Sequence, residues 1–344
     1  MDSPLSIGIV GLGCVGRRHC EQLAGLGHRV VGAVKRTPPF GKDPCLGIPV
    51  FDSLDGLLSH SRPDALVVAS PNALHRGHVL AGLEAGCHVL CEKPLGVSGA
   101  EVREMAEAAA LADRVLMGGM NLRFVPHFRA AGDVIGKGAL GTVRHVQAAW
   151  VRRRGIPGPG KWHTDRSLAG GGALLDAGIH VLDVAWSFLG RPRPLRVSAT
   201  MSGLFRGRLD AYEARKVWNG PVRRDGVMDV EDGCVALVRF EGGATLDLDV
   251  AWAVDGPESP FRVVARGDRA GLSWEKTGAV NVFIGEEPPR LVSAVVGPSL
   301  HESFAQAVCG GANPCPPSDM LTLARIIDAA YASAERGGEI NVES

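Results

Sequence analysis

The chain has 344 residues, 45% of them apolar, which is enough to bury a large core and too long for one average domain, so two domains are expected. Its 37 basic residues balance 37 acidic ones, which argues against a nucleic-acid-binding or membrane-surface protein and favours a small neutral or weakly charged substrate. Eight cysteines without a C-x-x-C pair predict reduced, mostly buried thiols and no metal site, and a start without a basic n-region, MDSPLS, together with strand-sized apolar runs predicts a cytoplasmic protein without a membrane partner.

From Leu5 to about Gly119 apolar runs alternate with helical patterns: LSIGIV, CVGRRHCEQLAGL, RVVGAV, DSLDGLLSH, ALVVAS, ALHRGHVLAGLEAG, HVLCE, GAEVREMAEAAALA and RVLMGG. This alternation predicts βαβ crossovers and a parallel, doubly wound α/β sheet over residues 1–120. Within it, IGIVGLGCVGRRH puts Gly11, Gly13 and Gly16 after a strand and at the start of a helix, the context of a dinucleotide fingerprint. Gly11 permits the tight turn, Gly13 the approach of a pyrophosphate, and Gly16 close helix packing; Leu12, Cys14 and Val15 complete this cofactor loop. The second strand ends in Lys35-Arg36-Thr37, where an NAD-binding chain carries an acid for the ribose hydroxyl, and two cations with a hydroxyl suit the extra phosphate of NADP. NADP is therefore preferred, with NAD the alternative. Glu92-Lys93-Pro94 closes the run HVLC and sets a lysine at a strand's carboxyl end.

After Asn121 the texture changes to a helix from about Pro126 to Ile135, a strand TVRHVQAAWV, and an irregular stretch that begins with Arg152-Arg153-Arg154. The arginines suit a substrate phosphate or carboxylate, and equally a solvated loop. In the helical pattern ALLDAGIHVLDVAWSFLG, Asp176, His180 and Asp183 stand at i, i+4 and i+7, along one face. A carboxylate one turn from an imidazole fixes its tautomer and raises its basicity, as proton removal from a hydroxyl requires. Asp183 is read as a supporting or structural partner. Clustered strands between Leu195 and Val296, without intervening helices, predict a mostly antiparallel sheet and an α+β domain over residues 121–344, with two closing helices that are able to pack back on the first domain. The charged segment from Asp210 to Asp229, with Tyr212 and Trp218, reads either as a cleft wall or as a subunit contact.

GLGCVGRRH, SPNALH, CEKPL, NLRFVP, GGGALLDAGIHVLD and AAYASAERGGEI, in this order from about Ser6 to Val342, resemble the glucose-fructose oxidoreductase, inositol dehydrogenase and MocA (Gfo/Idh/MocA) family. The resemblance implies a Rossmann domain joined to a domain with a large, open, mostly antiparallel sheet covered by helices on one face, whose exposed face makes a homo-oligomer, a dimer or tetramer. It implies that Lys93, Asp176 and His180 are catalytic. Ser70, Asn72 and His75 then match the loop near the nicotinamide, with Glu92 and Lys93 flanking it, and the proline after Lys93 is expected to be cis. The resemblance places the loop from Arg152 to Asp165 over the substrate, where Trp162 reads by its chemistry as an apolar face for a sugar ring and His163 with Lys161 and Asp165 as partners for hydroxyls, and Arg123 of NLRFVP is a further substrate-side candidate. The activity implied is hydride transfer between NAD(P) and a secondary alcohol or ketone carbon of a sugar, amino sugar or cyclitol. The competing expectations are an NAD-dependent glycosidase working by transient oxidation, and a non-catalytic NADP-binding sensor, against which the complete catalytic set argues.

Overall fold

The computed structural model describes residues 4–38, 40–43, 46–213, 221–276, 278 and 280–343. In chain order the main elements are β1 (Ser6–Val10), α1 (Cys14–Gly25), β2 (Arg29–Val34), β3 (Gly41–Lys42), β4 (Pro49–Phe51), α2 (Leu54–Ser61), β5 (Ala65–Val68), α3 (His75–Glu84), β6 (His88–Glu92), α4 (Gly99–Leu111) and β7 (Leu116–Gly119). There follow α5 (Pro126–Gly136), β8 (Val143–Val151), α6 (Arg166–Ala169), α7 (Ile179–Phe188), β9 (Pro194–Ser202), β10 (Gly233–Phe240), β11 (Thr245–Ala251), β12 (Ser259–Gly267), β13 (Gly271–Glu275), β14 (Val280–Phe283) and β15 (Arg290–Val292). The chain closes with α8 (Leu300–Val308), α9 (Pro317–Arg336) and β16 (Ile340–Asn341). It forms two compact units, Met1–Met120 with Pro298–Leu321, and Asn121–Gly297 with Thr322–Ser344.

The first unit is built on a seven-stranded sheet in the order β3-β4-β2-β1-β5-β6-β7. Its central strands are apolar throughout because helices cover both faces: Ile7, Ile9, Leu66, Val67, Val68 and Val89 are wholly buried. The expected parallel, doubly wound sheet is present, with one addition. Between Val34 and Leu54, where no strand is expected, β4 joins β2 in parallel and β3 pairs with β4 antiparallel. These strands are two and three residues long, too short for a period-two pattern to register.

The second unit carries a nine-stranded sheet in the order β15-β14-β13-β12-β8-β11-β10-β9-β16. All its pairings are antiparallel except β8 with β11, so the α+β expectation stands. Helices α5 and α7 pack on one face. There Phe128 stacks on Phe188 at 5.9 Å, and both meet the wholly buried Trp274 edge-on at 6.4 Å. Removing an aromatic ring from such a core costs about 3–5 kcal/mol. On the other face alternate residues are left open, among them Val235, Arg262 and Asp249.

Two expectations need correcting here. The stretch from Leu174 to Phe188 is not a uniform α-helix: Leu174–Gly178 is a π-turn and α7 starts only at Ile179, so α-helical spacing relates His180 to Asp183 but does not extend back to Asp176. An apolar pattern tolerates the one extra residue of a π-turn, which is why the sequence does not reveal it. Nor are all apolar runs strand-sized. The 23-residue stretch Arg166–Phe188 contains a window of mean hydropathy 1.3 and is long and apolar enough to cross a membrane by length and composition, and 78% of that window is buried inside the protein. In the segment from Asp210 to Asp229, Tyr212 is a core residue: it is buried beside Phe205, Trp252 and Val230, and its hydroxyl accepts the Ile156 N–H at 3.1 Å. Trp218 lies outside the described residues.

Candidate active site

The first unit has the form of a nucleotide site at the β1–α1 turn. Gly11 has φ +100, which L side chains rarely adopt, and a Cβ there would lie 2.5 Å from the Ala69 carbonyl oxygen. A Cβ on Gly16 would lie 1.9 Å from the Gly11 oxygen, so α1 packs on the turn as closely as a glycine allows. Gly13 differs, because a Cβ there would meet nothing within 4 Å. No side chain caps α1, whose first N–H groups are therefore open to an anion. Leu12 is buried, Val15 half-buried and Cys14 exposed. A dinucleotide fits these residues: an open approach at Gly13 leads to an uncapped helix end. Lys35, half-buried, and Arg36, exposed, follow β2, and neither makes an ion pair among the described residues.

The loop after β5 and the turn after β6 are tied together by His75. Its ring is buried between the carbonyl oxygens of Pro94, 2.8 Å from Nδ1, and Ser70, 2.9 Å from Nε2. Ser70 also meets the His78 ring, its Oγ 3.0 Å from Nδ1, and Asn72 is buried beside it in the chain. The Lys93–Pro94 peptide is cis, Lys93 is half-buried, and its backbone N–H donates to Glu92 Oε2 at 3.2 Å.

Behind Glu92 runs a buried string that the sequence does not announce. His19 Nε2 lies 3.0 Å from Glu92 Oε1, and His19 Nδ1 lies 2.7 Å from His301 Nε2. Burial pushes the Glu92 carboxyl up, but the hydrogen bond from His19 and the charges of His19 and Lys93 outweigh it and hold it below the usual range. An ionised carboxylate only accepts, so His19 Nε2 carries the proton that faces Glu92. Burial, reinforced by His19, pushes His301 down to about 4 from an ordinary 6.5. Folded His301 thus stays neutral where the unfolded chain takes up a proton. Its contribution to stability is full above pH 6.5 and falls by up to about 3 kcal/mol as pH drops from 6.5 to about 4. Urea denaturation at pH 7.5 and pH 5 is expected to show the loss, and His301→Gln to flatten it; an equal pH dependence in the variant would refute this account.

In the second unit, Asp176 and His180 are the only residues from Gly171 to Trp186 that are not fully buried. Trp252, wholly buried at the end of β11, donates from Nε1 to Asp176 Oδ2 at 2.9 Å, which fixes the carboxylate. Glu231 holds the start of the same helical stretch, its Oε1 accepting from the N–H groups of Gly172 at 2.8 Å and Leu174 at 3.1 Å and from the Tyr331 hydroxyl at 2.8 Å. Burial raises the carboxyl pKa of Glu231. Sequence reasoning singles out none of Trp252, Glu231 and Tyr331. The pattern offers no sign of them, since their partners lie 57 to 100 residues away.

Asp183 is wholly buried and clamped by Arg123, whose Nε lies 3.1 and 3.0 Å from its two carboxylate oxygens. Removing one partner of a buried pair costs about 3–5 kcal/mol, so this ion pair holds the fold of the unit. Trp162, half-buried, stacks on the buried His163 at 3.7 Å in a single 3₁₀ turn. Asp165 caps α6 through the Ser167 N–H at 2.9 Å. Lys161 is half-buried. Among the described residues no group of three histidines, cysteines or acids is placed to hold a metal.

Residues 5–120 match the family described as oxidoreductase family, NAD-binding Rossmann fold, and residues 128–273 match its GFO/IDH/MocA C-terminal domain. The chain is 29% identical to the D-glucoside 3-dehydrogenase of Escherichia coli (strain K12) over 99% of this chain and 98% of that protein. The structure of an aldose-aldose oxidoreductase from Caulobacter crescentus, complexed with glycerol, superposes with a TM-score of 0.81 at 27% identity, covering 98% of this chain and 100% of that one. GenD2 from gentamicin A biosynthesis, solved in complex with NAD, gives a TM-score of 0.78 at 26% identity over 100% of this chain and 98% of that one.

Proposed function

The chain belongs to the Gfo/Idh/MocA oxidoreductase family, and from that premise we propose that it moves a hydride between a nicotinamide dinucleotide and a secondary alcohol or ketone carbon of a sugar, amino sugar or cyclitol. The observation that carries the reading is that Asp176 and His180 alone are half-buried on an otherwise buried helical stretch, with Asp176 fixed by Trp252. When bound, the nicotinamide ring supplies the hydride acceptor or donor. In oxidation, the His180 imidazole takes the proton of the substrate hydroxyl, and the Asp176 carboxylate, a turn before it in the chain, favours the positive charge the ring acquires. Lys93 Nζ hydrogen-bonds the same oxygen and stabilises the negative charge that develops there. In reduction the proton moves the other way. A screen of sugar and cyclitol alcohols with NAD and NADP in parallel, followed by absorbance of the reduced cofactor, tests this; no cofactor reduction with any alcohol, and no oxidation with the ketones, would sink it.

Residues 1–120 are assigned to the cofactor and 121–344 to substrate and assembly. Gly11 to Gly16 cradle the pyrophosphate, Ser70, Asn72 and His75 shape the loop near the nicotinamide, and Trp162 with His163 serves the substrate side, whereas Arg123, expected there, is buried in its pair with Asp183. Lys35 and Arg36 are assigned to the 2′-phosphate of NADP, supported by their place after β2 and by their making no ion pair among the described residues. NADP is expected to give the higher kcat/KM. Arg36→Ala is expected to weaken NADP about ten- to hundredfold in Kd and NAD much less. Equal weakening of both cofactors would remove the assignment. The open face of the second sheet, with a concavity of roughly 630 Å³ bordered by Ser198, Thr200, Leu237, Asp249, Arg262 and Val264, is assigned to association of copies into a homo-oligomer, and the protein to the cytoplasm.

A further inference from the structure

The three consecutive arginines at the end of β8 take different places. Arg153 is exposed, and its backbone N–H donates to Glu258 Oε1 at 3.0 Å. Arg154 is paired with Asp255 and lies 5.1 Å over the Phe205 ring. Arg152 is neither exposed nor paired. Its guanidinium lies 4.6 Å over the Trp150 ring, and its Nε and Nη2 are both buried without a hydrogen-bond partner among the described residues.

The side chain is held in that place from several directions. Its carbons and Nε fill the space above Gly155, where a Cβ would lie 2.8 Å from Arg152 Cδ and 2.9 Å from Nε. Its backbone N–H donates to the Ala251 oxygen at 3.0 Å, one residue before the Trp252 that fixes Asp176. Burial lowers the pKa of its guanidinium, and Asp176 is the foremost charge opposing that shift. A second cation is near, since Lys276 Nζ lies 5.1 Å from the same Trp150 ring.

Two buried guanidinium nitrogens that meet no partner among the described residues are costly, and a ligand that completes them removes that cost. The donors left over are Nε and Nη2, the edge of the fork that presents two parallel N–H groups and matches two oxygens carried on one atom. With a second cation on the same ring, an oxyanion is better matched to this place than a neutral hydroxyl pair. We propose that Arg152 is a specificity-determining residue that grips an oxyanion of the substrate, so that the alcohols this enzyme oxidises are acidic sugars bearing a carboxylate or a phosphate. The proposal rests on the reading that Asp176 and His180 act on a sugar alcohol, and it adds which kind of sugar.

The test compares a methyl hexoside, the corresponding methyl hexosiduronate and a hexose phosphate as substrates of wild type, Arg152→Met and Arg152→Lys. One acidic sugar is expected to exceed the neutral one in kcat/KM by about ten- to hundredfold in wild type, the scale of a hydrogen bond between charged groups. That preference is expected to vanish in Arg152→Met, which keeps the length and the packing on Trp150, and to return in part in Arg152→Lys. Preference for the uronate identifies a carboxylate, and preference for the phosphate identifies a phosphoryl group. Equal or better use of the neutral hexoside, or a preference that survives in Arg152→Met, overturns the proposal and leaves the dehydrogenase reading intact. If no alcohol reduces the cofactor, that reading fails, and calorimetric titration of both proteins with the uronate and the hexose phosphate still decides the role of Arg152: binding of either acid to wild type but not to Arg152→Met supports it, and binding of neither or equal binding overturns it. Cofactor affinity of the variants, expected to match wild type, reports that they fold.

Discussion

Lys93→Ala and His180→Ala each lower turnover by about a hundredfold or more, with cofactor affinity nearly kept in His180→Ala, the scale of losing a positioned acid–base or electrostatic group. The expectation rests on what each side chain replaces. His180 lies on a stretch where every other residue except Asp176 is buried, and Asp176 is already bonded to Trp252, so the stretch offers no ready replacement for the imidazole. Lys93 follows β6 beside Glu92, whose carboxylate is already committed to His19 and cannot act as a spare base. The two variants also differ in pH dependence. Without His180 the acidic limb of the rate profile for alcohol oxidation, where protonation removes the base, is expected to disappear, whereas without Lys93 that limb remains and only the height falls. Steady-state rates from pH 5 to 10 with a substrate from the alcohol screen measure both, and near wild-type rates in either variant would end the assignment.

Gly13→Ala and Gly16→Ala, three residues apart, are expected to fail in opposite ways. At Gly16 the added Cβ would lie 1.9 Å from a backbone oxygen, and no side-chain movement relieves that. Helix α1 must shift away from the turn, at a cost of about 1–3 kcal/mol or more in stability, and cofactor binding falls with it. At Gly13 the Cβ meets nothing, and φ −83 with ψ −165 is extended backbone that any residue adopts. Gly13→Ala is therefore expected to fold as well as wild type, or better by about 0.4–1 kcal/mol through a less flexible unfolded chain. Its dinucleotide affinity nevertheless drops by about tenfold or more, because the methyl group occupies the approach of the pyrophosphate. Thermal unfolding without cofactor and calorimetric titration with it separate the two cases; unchanged affinity in Gly13→Ala would mean that the phosphates lie elsewhere.

What the sequence reveals of this protein follows from the range over which each constraint acts. The turn from Gly11 to Gly16 is legible because its demands are local: a positive φ and two close approaches within six residues can be met by glycine alone. The sheet of the first unit is legible for the same reason, since each apolar strand is followed by its own covering helix. Trp252 and Glu231 are not legible, because a strand-end tryptophan and a buried acid acquire meaning only from Asp176 and Gly172, which the fold brings to them. The π-turn at Leu174–Gly178 escapes because apolar residues fill every register of that stretch. Arg152 falls between these cases: its charge is visible in the triplet, but nothing in three identical letters tells which is buried.

Strand β8 stands near the middle of the nine-stranded sheet, yet none of its partners is near it in the chain. Its pairings with β11 begin at Thr245↔His145, and those with β12 reach Ser259↔Val151. As the protein is synthesised, β8 must therefore wait about a hundred residues for its first neighbour, and the apolar helix α7 waits with it. Non-local pairing of this kind slows folding and leaves apolar surface exposed to other chains. The segment that will present His180 is thus the one most in need of a chaperone before the sheet closes over it.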